Sequence, residues 1–174
     1  TAMADDAIAH IRMVNDVQPN RPFLIYYAPG ATHAPHHPTA EWTKKIEAMH
    51  LFDDGWNAVR ERIFANQKRL GIMPENAVLT DWPKELPTWD SLNEEQKLLF
   101  IKQADVYGAY QAYTDHEIGR VIQSVEDLGQ LDNTLIIYIS GDNGASAEGM
   151  LNGTPNEFTT FNGVPVPVKD QFLW

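Results

Sequence analysis

Asn133-Thr-Leu-Ile-Ile-Tyr-Ile-Ser-Gly-Asp-Asn-Gly144 is the stretch on which the fold reading turns. Thr134 to Ile139 form an apolar run rich in β-branched side chains, which pack well on a pleated sheet, so the run reads as a buried strand. Gly141 and Gly144 then bracket Asp142 and Asn143. A carboxylate and an amide at the C-terminal end of a buried strand give a divalent cation two hard oxygen donors. Asp-Asn-Gly is good turn chemistry anywhere. Its position directly after an apolar strand is what points to a metal site and to hydrolysis.

Upstream of that strand lies the longest helical pattern in the chain. Leu98, Ile101, Tyr107, Tyr110, Tyr113, Ile118, Val121, Ile122 and Val125 feed one broad apolar face, and Gly129 follows as a natural C-cap. Ser91-Leu-Asn-Glu94 has the spacing of a capping box at its start. Within the helix, Asp115 reads as a surface carboxylate and Gly119 as a point of close packing. Further upstream, Pro19-Asn-Arg-Pro22 breaks a helix over Ala4 to Val17 and launches a second buried-strand candidate, Phe23 to Ala28. A short helix is expected from Thr39 through Ala48. Another is expected from about Gly55 to Leu70, capped by Asp53 or Asp54, with Trp56, Val59, Ile63 and Phe64 on one side. Gly71 to Trp89, with three prolines, reads as an extended connection over the surface. Helix, turn and strand in succession predict an α/β protein with a mainly parallel sheet and flanking helices.

Of the 174 residues, 43% are apolar, enough for one domain with a sizeable core. The most apolar stretches have strand length, too short to span a bilayer. Acidic residues outnumber basic ones by 24 to 13, for a net charge of −11, which argues against a nucleic-acid partner. The chain has no cysteine, hence neither disulfides nor thiolate metal ligands. It begins Thr1-Ala2-Met3 without an apolar signal segment and ends Phe172-Leu-Trp174, and both ends read as cuts through a longer protein.

Three of the six histidines lie in Gly30-Ala-Thr-His-Ala-Pro-His-His-Pro38. This loop follows one candidate strand as Asp142 and Asn143 follow the other. Ligands of open α/β sheets sit beyond the carboxyl ends of parallel strands, so parallel neighbours would bring His33 and Asp142 to one pocket. His36 and His37 read as ordinary loop residues that cap strands or meet solvent. The spacing His33-x-x-His36 is that of a metalloprotease pair, which requires a helix; Pro35 and Pro38 exclude one.

Taken in order, several segments resemble the type I sulfatases, bacterial arylsulfatases in particular. Arg21-Pro-Phe-Leu-Ile-Tyr-Tyr-Ala28 with Thr32-His-Ala-Pro35 resembles that family's strand and histidine loop. Asp115-His-Glu-Ile-Gly-Arg-Val-Ile122, Leu128-Gly129, Asp132-Asn-Thr134 and Gly141-Asp-Asn-Gly144 resemble its long helix, turn, strand and metal loop. Met49-His-Leu-Phe-Asp-Asp-Gly-Trp56 and Ile63-Phe-Ala-Asn-Gln-Lys-Arg-Leu-Gly71 are similar to the larger bacterial members. The resemblance implies a partial alkaline-phosphatase-like α/β fold, incomplete at both ends. Residues 1–174 would be the central part of a catalytic domain, with 49–92 a surface excursion. It also implies hydrolysis of sulfate monoesters by a formylglycine nucleophile with calcium as Lewis acid. Asp142 and Asn143 would be two calcium ligands. Asp142 would help draw a proton from the nucleophile hydrate, and His33 would bind the sulfate or protonate the leaving group.

The departures narrow this expectation. No Cys/Ser-x-Pro-x-Arg motif is present, so formylglycine would lie in a missing N-terminal segment. Asp5-Asp6 and Asp53-Asp54 stand in helical contexts unlike the family's N-terminal metal pair, and Lys169 does not match its later lysine. The alternatives are a phosphodiesterase or phosphonate hydrolase of the same superfamily, or a non-catalytic binding piece. Asn143, a neutral oxygen donor where those relatives carry histidine, favours calcium and sulfate. Exposed strand edges and apolar helix faces would favour self-association.

Overall fold

The structure, a computed structural model, describes residues 1–141 and 149–173. Its spine is α4, Glu94–Asp127, a 34-residue helix about 51 Å long at about 1.5 Å per residue. The helices α1 (Ala2–Val17), α2 (Ala40–Glu47) and α6 (Val168–Gln171) pack against it. A fourth, α3 (Gly55–Arg69), reaches it through a cluster of aromatic rings, and a short α5 (Glu157–Phe161) follows the 3-10 turn Met150–Asn152.

Both ends of α4 are closed by side chain and backbone together. The start lies two residues beyond the predicted capping box. Asn93, not Ser91, is the cap: its Oδ1 accepts from the Gln96 N–H at 2.9 Å and its own N–H donates to Gln96 Oε1 at 3.3 Å. Ser91 instead belongs to a 3-10 turn, Trp89–Ser91, which lets Leu92 drop into the core. At the far end Gly129 adopts φ +66°, and the Gly129 and Gln130 N–H groups donate to the carbonyls of Glu126 and Val125, a Schellman closure as expected of that glycine.

Leu92, Leu99 and Phe100 form the core cluster, with Trp56, Trp89 and Val168 packed around it. The Trp56 ring stacks on Phe100 at 5.2 Å and meets Trp89 edge-on at 5.6 Å. Gly55 makes this approach possible: its φ is +80°, and a Cβ there would lie 2.2 Å from the Trp89 indole. On α3, Trp56, Val59, Ile63 and Phe64 do share a side. With Met73, Val78 and Leu79 they line an open apolar groove of about 450 Å³. The α2–α4 contact closes over Gly108, where a Cβ would meet the Phe52 ring at 3.3 Å, and Lys102 pairs with Glu47 beside it. Gly119, expected to be the close-packing glycine, has nothing within 4 Å of that position.

The mainly parallel sheet is not present. Among the described residues there is no β-strand, and the architecture is helical. Phe23–Ala28 and Thr134–Ile139 are extended but join no ladder, because each lacks a neighbouring backbone to exchange hydrogen bonds with. Along Phe23–Ala28 the burial alternates as on a pleated surface: Phe23, Ile25 and Tyr27 are half-buried, while Leu24 and Tyr26 are 95% and 90% exposed. Thr134–Ile139 is not the buried run its composition suggested, with Leu135 at 85% and Ile139 at 86% exposure.

The two glycines separate by sign. Gly55→Ala should lose about 1–3 kcal/mol of stability, since it meets both a left-handed backbone and an indole ring. Gly119→Ala, in open space on a helix, should gain about 0.5–1 kcal/mol. Urea denaturation of both variants against wild type checks the pair.

Candidate functional site

His33 sits where the sequence suggested, in an exposed loop after an extended segment. Its backbone N–H donates to the Gly30 carbonyl at 3.0 Å, closing a tight turn. Its ring Nδ1 lies 2.7 Å from the Ala34 carbonyl oxygen. A carbonyl can only accept, so Nδ1 carries the proton. In the neutral ring Nε2 therefore holds the free lone pair. In the imidazolium Nε2–H becomes a second donor, free to meet an anion, while Nδ1–H keeps its bond to the Ala34 carbonyl.

The rest of the loop rests on α4. The Thr32 hydroxyl donates to the Tyr107 hydroxyl at 3.3 Å. The His36 ring meets Tyr107 edge-on, with centroids 5.1 Å apart and planes at 82°, and lies 6.2 Å from Tyr110. One turn further along, Trp42 of α2 packs on Tyr113 and His116 at 6.1 and 5.3 Å. Tyr107, Tyr110, Tyr113 and His116, spaced by three along the helix, thus form an aromatic ladder under the loop and α2. The sequence reading placed the three tyrosines on the apolar face, without seeing that they seat the histidine loop. His36 is no solvent residue: burial pushes its pKa down, with nearby His33 and His37 acting in the same direction and a hydrogen bond to the Thr32 backbone opposing it. His37 is exposed.

The other predicted residues, Asp142 and Asn143, lie outside the described residues. The extended segment leading toward them runs beside α4, where the Tyr138 hydroxyl reaches the Asp115 carboxylate at 3.5 Å. Asp115 is exposed, as expected. Asp53 and Asp54 are not capping groups. Asp53 pairs with His50 at 2.8 Å, and Asp54, although at the start of α3, turns its carboxylate to Arg62, which holds its pKa low. Asp5 is paired with Arg120 at 2.5 Å. Asp105, which the sequence reading did not single out, is buried in α4 at 7% exposure. Burial raises its pKa, and Glu47 and Asp53 add to the rise against the smaller pull of Lys102 and His50. Among the described residues no group of three histidine, aspartate or glutamate side chains could hold a metal ion.

The family model for sulfatases matches residues 1–168. The chain belongs to the sulfatase family. It is 31% identical over 138 residues to an uncharacterized sulfatase of Schizosaccharomyces pombe, covering 78% of this chain and 24% of that protein. It is 30% identical over 141 residues to an arylsulfatase of Klebsiella aerogenes, covering 79% of this chain and 29% of that enzyme. The chain thus spans less than a third of the length of these sulfatases. No helix among the described residues of this sulfatase chain is long and apolar enough to cross a membrane.

The His36 environment gives a signed pH dependence. Its folded pKa is lowered, so between that value and the unfolded value of about 6.5 the unfolded chain binds more protons. Stability contributed by the docked loop should be complete above that range and decline as pH falls through it. Denaturation midpoints between pH 7.5 and 5 should drop for wild type and drop less for His36→Gln.

Proposed function

We propose that these residues form part of the catalytic domain of a sulfatase that hydrolyses sulfuric esters of the aryl sulfate type. The match of the sulfatase family across residues 1–168 carries this reading. The geometry of His33 supports it, because an exposed imidazole with Nδ1 committed to a carbonyl presents Nε2 outward. In the cationic ring that nitrogen donates to a sulfate oxygen or passes its proton to the departing alcohol, and the Ala34 carbonyl keeps the ring oriented in either state.

Calcium fits the chemistry of Asp142 and Asn143, which offer oxygen donors only. Two residues are fewer than the roughly six to eight oxygens that calcium takes, so its remaining ligands are assigned to sequence outside these 174 residues. When bound, the ion would polarise sulfate oxygens and lower the cost of charge building on them. Asp142 would also be the candidate to accept a proton from the nucleophile. Formylglycine does not fit any residue here, since there is no cysteine and no Ser-x-Pro-x-Arg. In this reading residues 1–174 are a central portion of the domain and 49–92 an excursion from it.

The 174-residue chain alone, supplied with calcium, should give no measurable turnover of an aryl sulfate. Steady turnover by the purified chain would sink the assignment of the nucleophile to other sequence. In the full-length protein, Asp142→Ala and Asn143→Ala should each weaken calcium binding by at least the roughly 10–100-fold that loss of a supporting outer-shell group costs. Unchanged calcium titration in both variants would remove these residues from the site.

A further inference from the structure

The two flanks of His33 converge on one side chain. Thr32, immediately before it, donates to the Tyr107 hydroxyl, and His36, three residues after it, sets its ring against the edge or face of the same tyrosine. Tyr107 stands near the middle of a helix capped at both ends and packed by three others. The loop itself has little else to hold it, since His33, Pro35 and His37 are all exposed. We infer that Tyr107 is a positioning residue for His33, clamping Thr32 and His36 to α4 so that the Nε2 edge of His33 faces the substrate. This inference rests on the reading of His33 as the substrate-facing histidine.

The physical need is clear from the loop's own bonds. Nδ1–H to the Ala34 carbonyl and the His33 N–H to the Gly30 carbonyl fix the ring relative to its loop, not relative to the rest of the protein. A catalytic group must be held within about 0.5 Å of its productive place, and a misplacement near 1 Å can cost about 100-fold in rate. Only contacts from the loop to a rigid element supply that second constraint. Tyr107 supplies two, of different kinds: a directional hydroxyl contact and an aromatic edge contact. Tyr110 touches the loop through its ring alone, at longer distance.

Backbone 15N relaxation on the 174-residue chain reads the clamp directly. In wild type, His33 should have the order parameter of rigid backbone, about 0.85. Tyr107→Phe and Thr32→Val should each lower it toward the flexible range, below about 0.6; Thr32→Ser, which keeps the hydroxyl, and Tyr110→Phe should preserve it. In the full-length protein, Tyr107→Phe and Thr32→Val should lower kcat/KM for an aryl sulfate about 10–100-fold, with Thr32→Ser close to wild type. Should either phenylalanine or valine variant fail to fold, the other carries the test. An unchanged His33 order parameter in the folded variants, with His33→Ala inactive, overturns the positioning role alone. Full activity of His33→Ala overturns the reading of His33 and, with it, the inference.

Discussion

Packing against one helix organises this chain. Every sizeable contact between elements has α4 as a partner or passes through the rings at its start, and the helix can serve because both of its ends are capped. Its first turn exchanges two hydrogen bonds between Asn93 and Gln96, and its last turn hands its orphan carbonyls to Gly129 and Gln130. Such closure matters more here than in a sheet protein. With no ladder among the described residues, the backbone order that strands would share must come from this helix and from what sits on it.

How much of this was legible depends on the range of the interaction. Helices are local, and their bounds were nearly readable: Thr39 does cap α2, Gly55 does open α3, and Gly129 does close α4. The capping box slipped by two residues because two overlapping patterns fit. Burial of Leu92 decided between them, and that is a tertiary fact. The same holds for the glycines: spacing alone cannot tell Gly108, which faces Phe52, from Gly119, which faces nothing. The strands failed for a stronger reason. A β-branched apolar run states a preference for pleated surroundings, but a strand exists only when another backbone pairs with it. Leu135 and Ile139 stay in solvent despite an ideal composition.

The histidine loop divides along the same line. His33 could be singled out from its sequence context, but which ring nitrogen it leaves free depends on the Ala34 carbonyl, a contact that no motif encodes. His36 looked dispensable and instead packs on the aromatic ladder. The signal for that was present, since Tyr107, Tyr110, Tyr113 and His116 recur at helical spacing, yet the tyrosines read equally well as core. Asp105 gave no signal: a carboxylate in the middle of a helix is normally solvated, and only the fold of residues 46–53 over it brings it under cover.

That covered carboxylate sets the bundle against its own loop. Asp105 is easier to bury with its proton on, and Glu47 and Asp53 deepen the preference, so in its window between unfolded and folded pKa rising pH weakens the α2–α4 contact. His36, in the loop that packs on Tyr107 and Tyr110 of the same helix, is easier to bury with its proton off, so falling pH weakens the loop's hold. The same helix therefore grips its two guests with opposite acid–base preferences. Falling pH works against the docked loop and in favour of the bundle, and rising pH does the reverse.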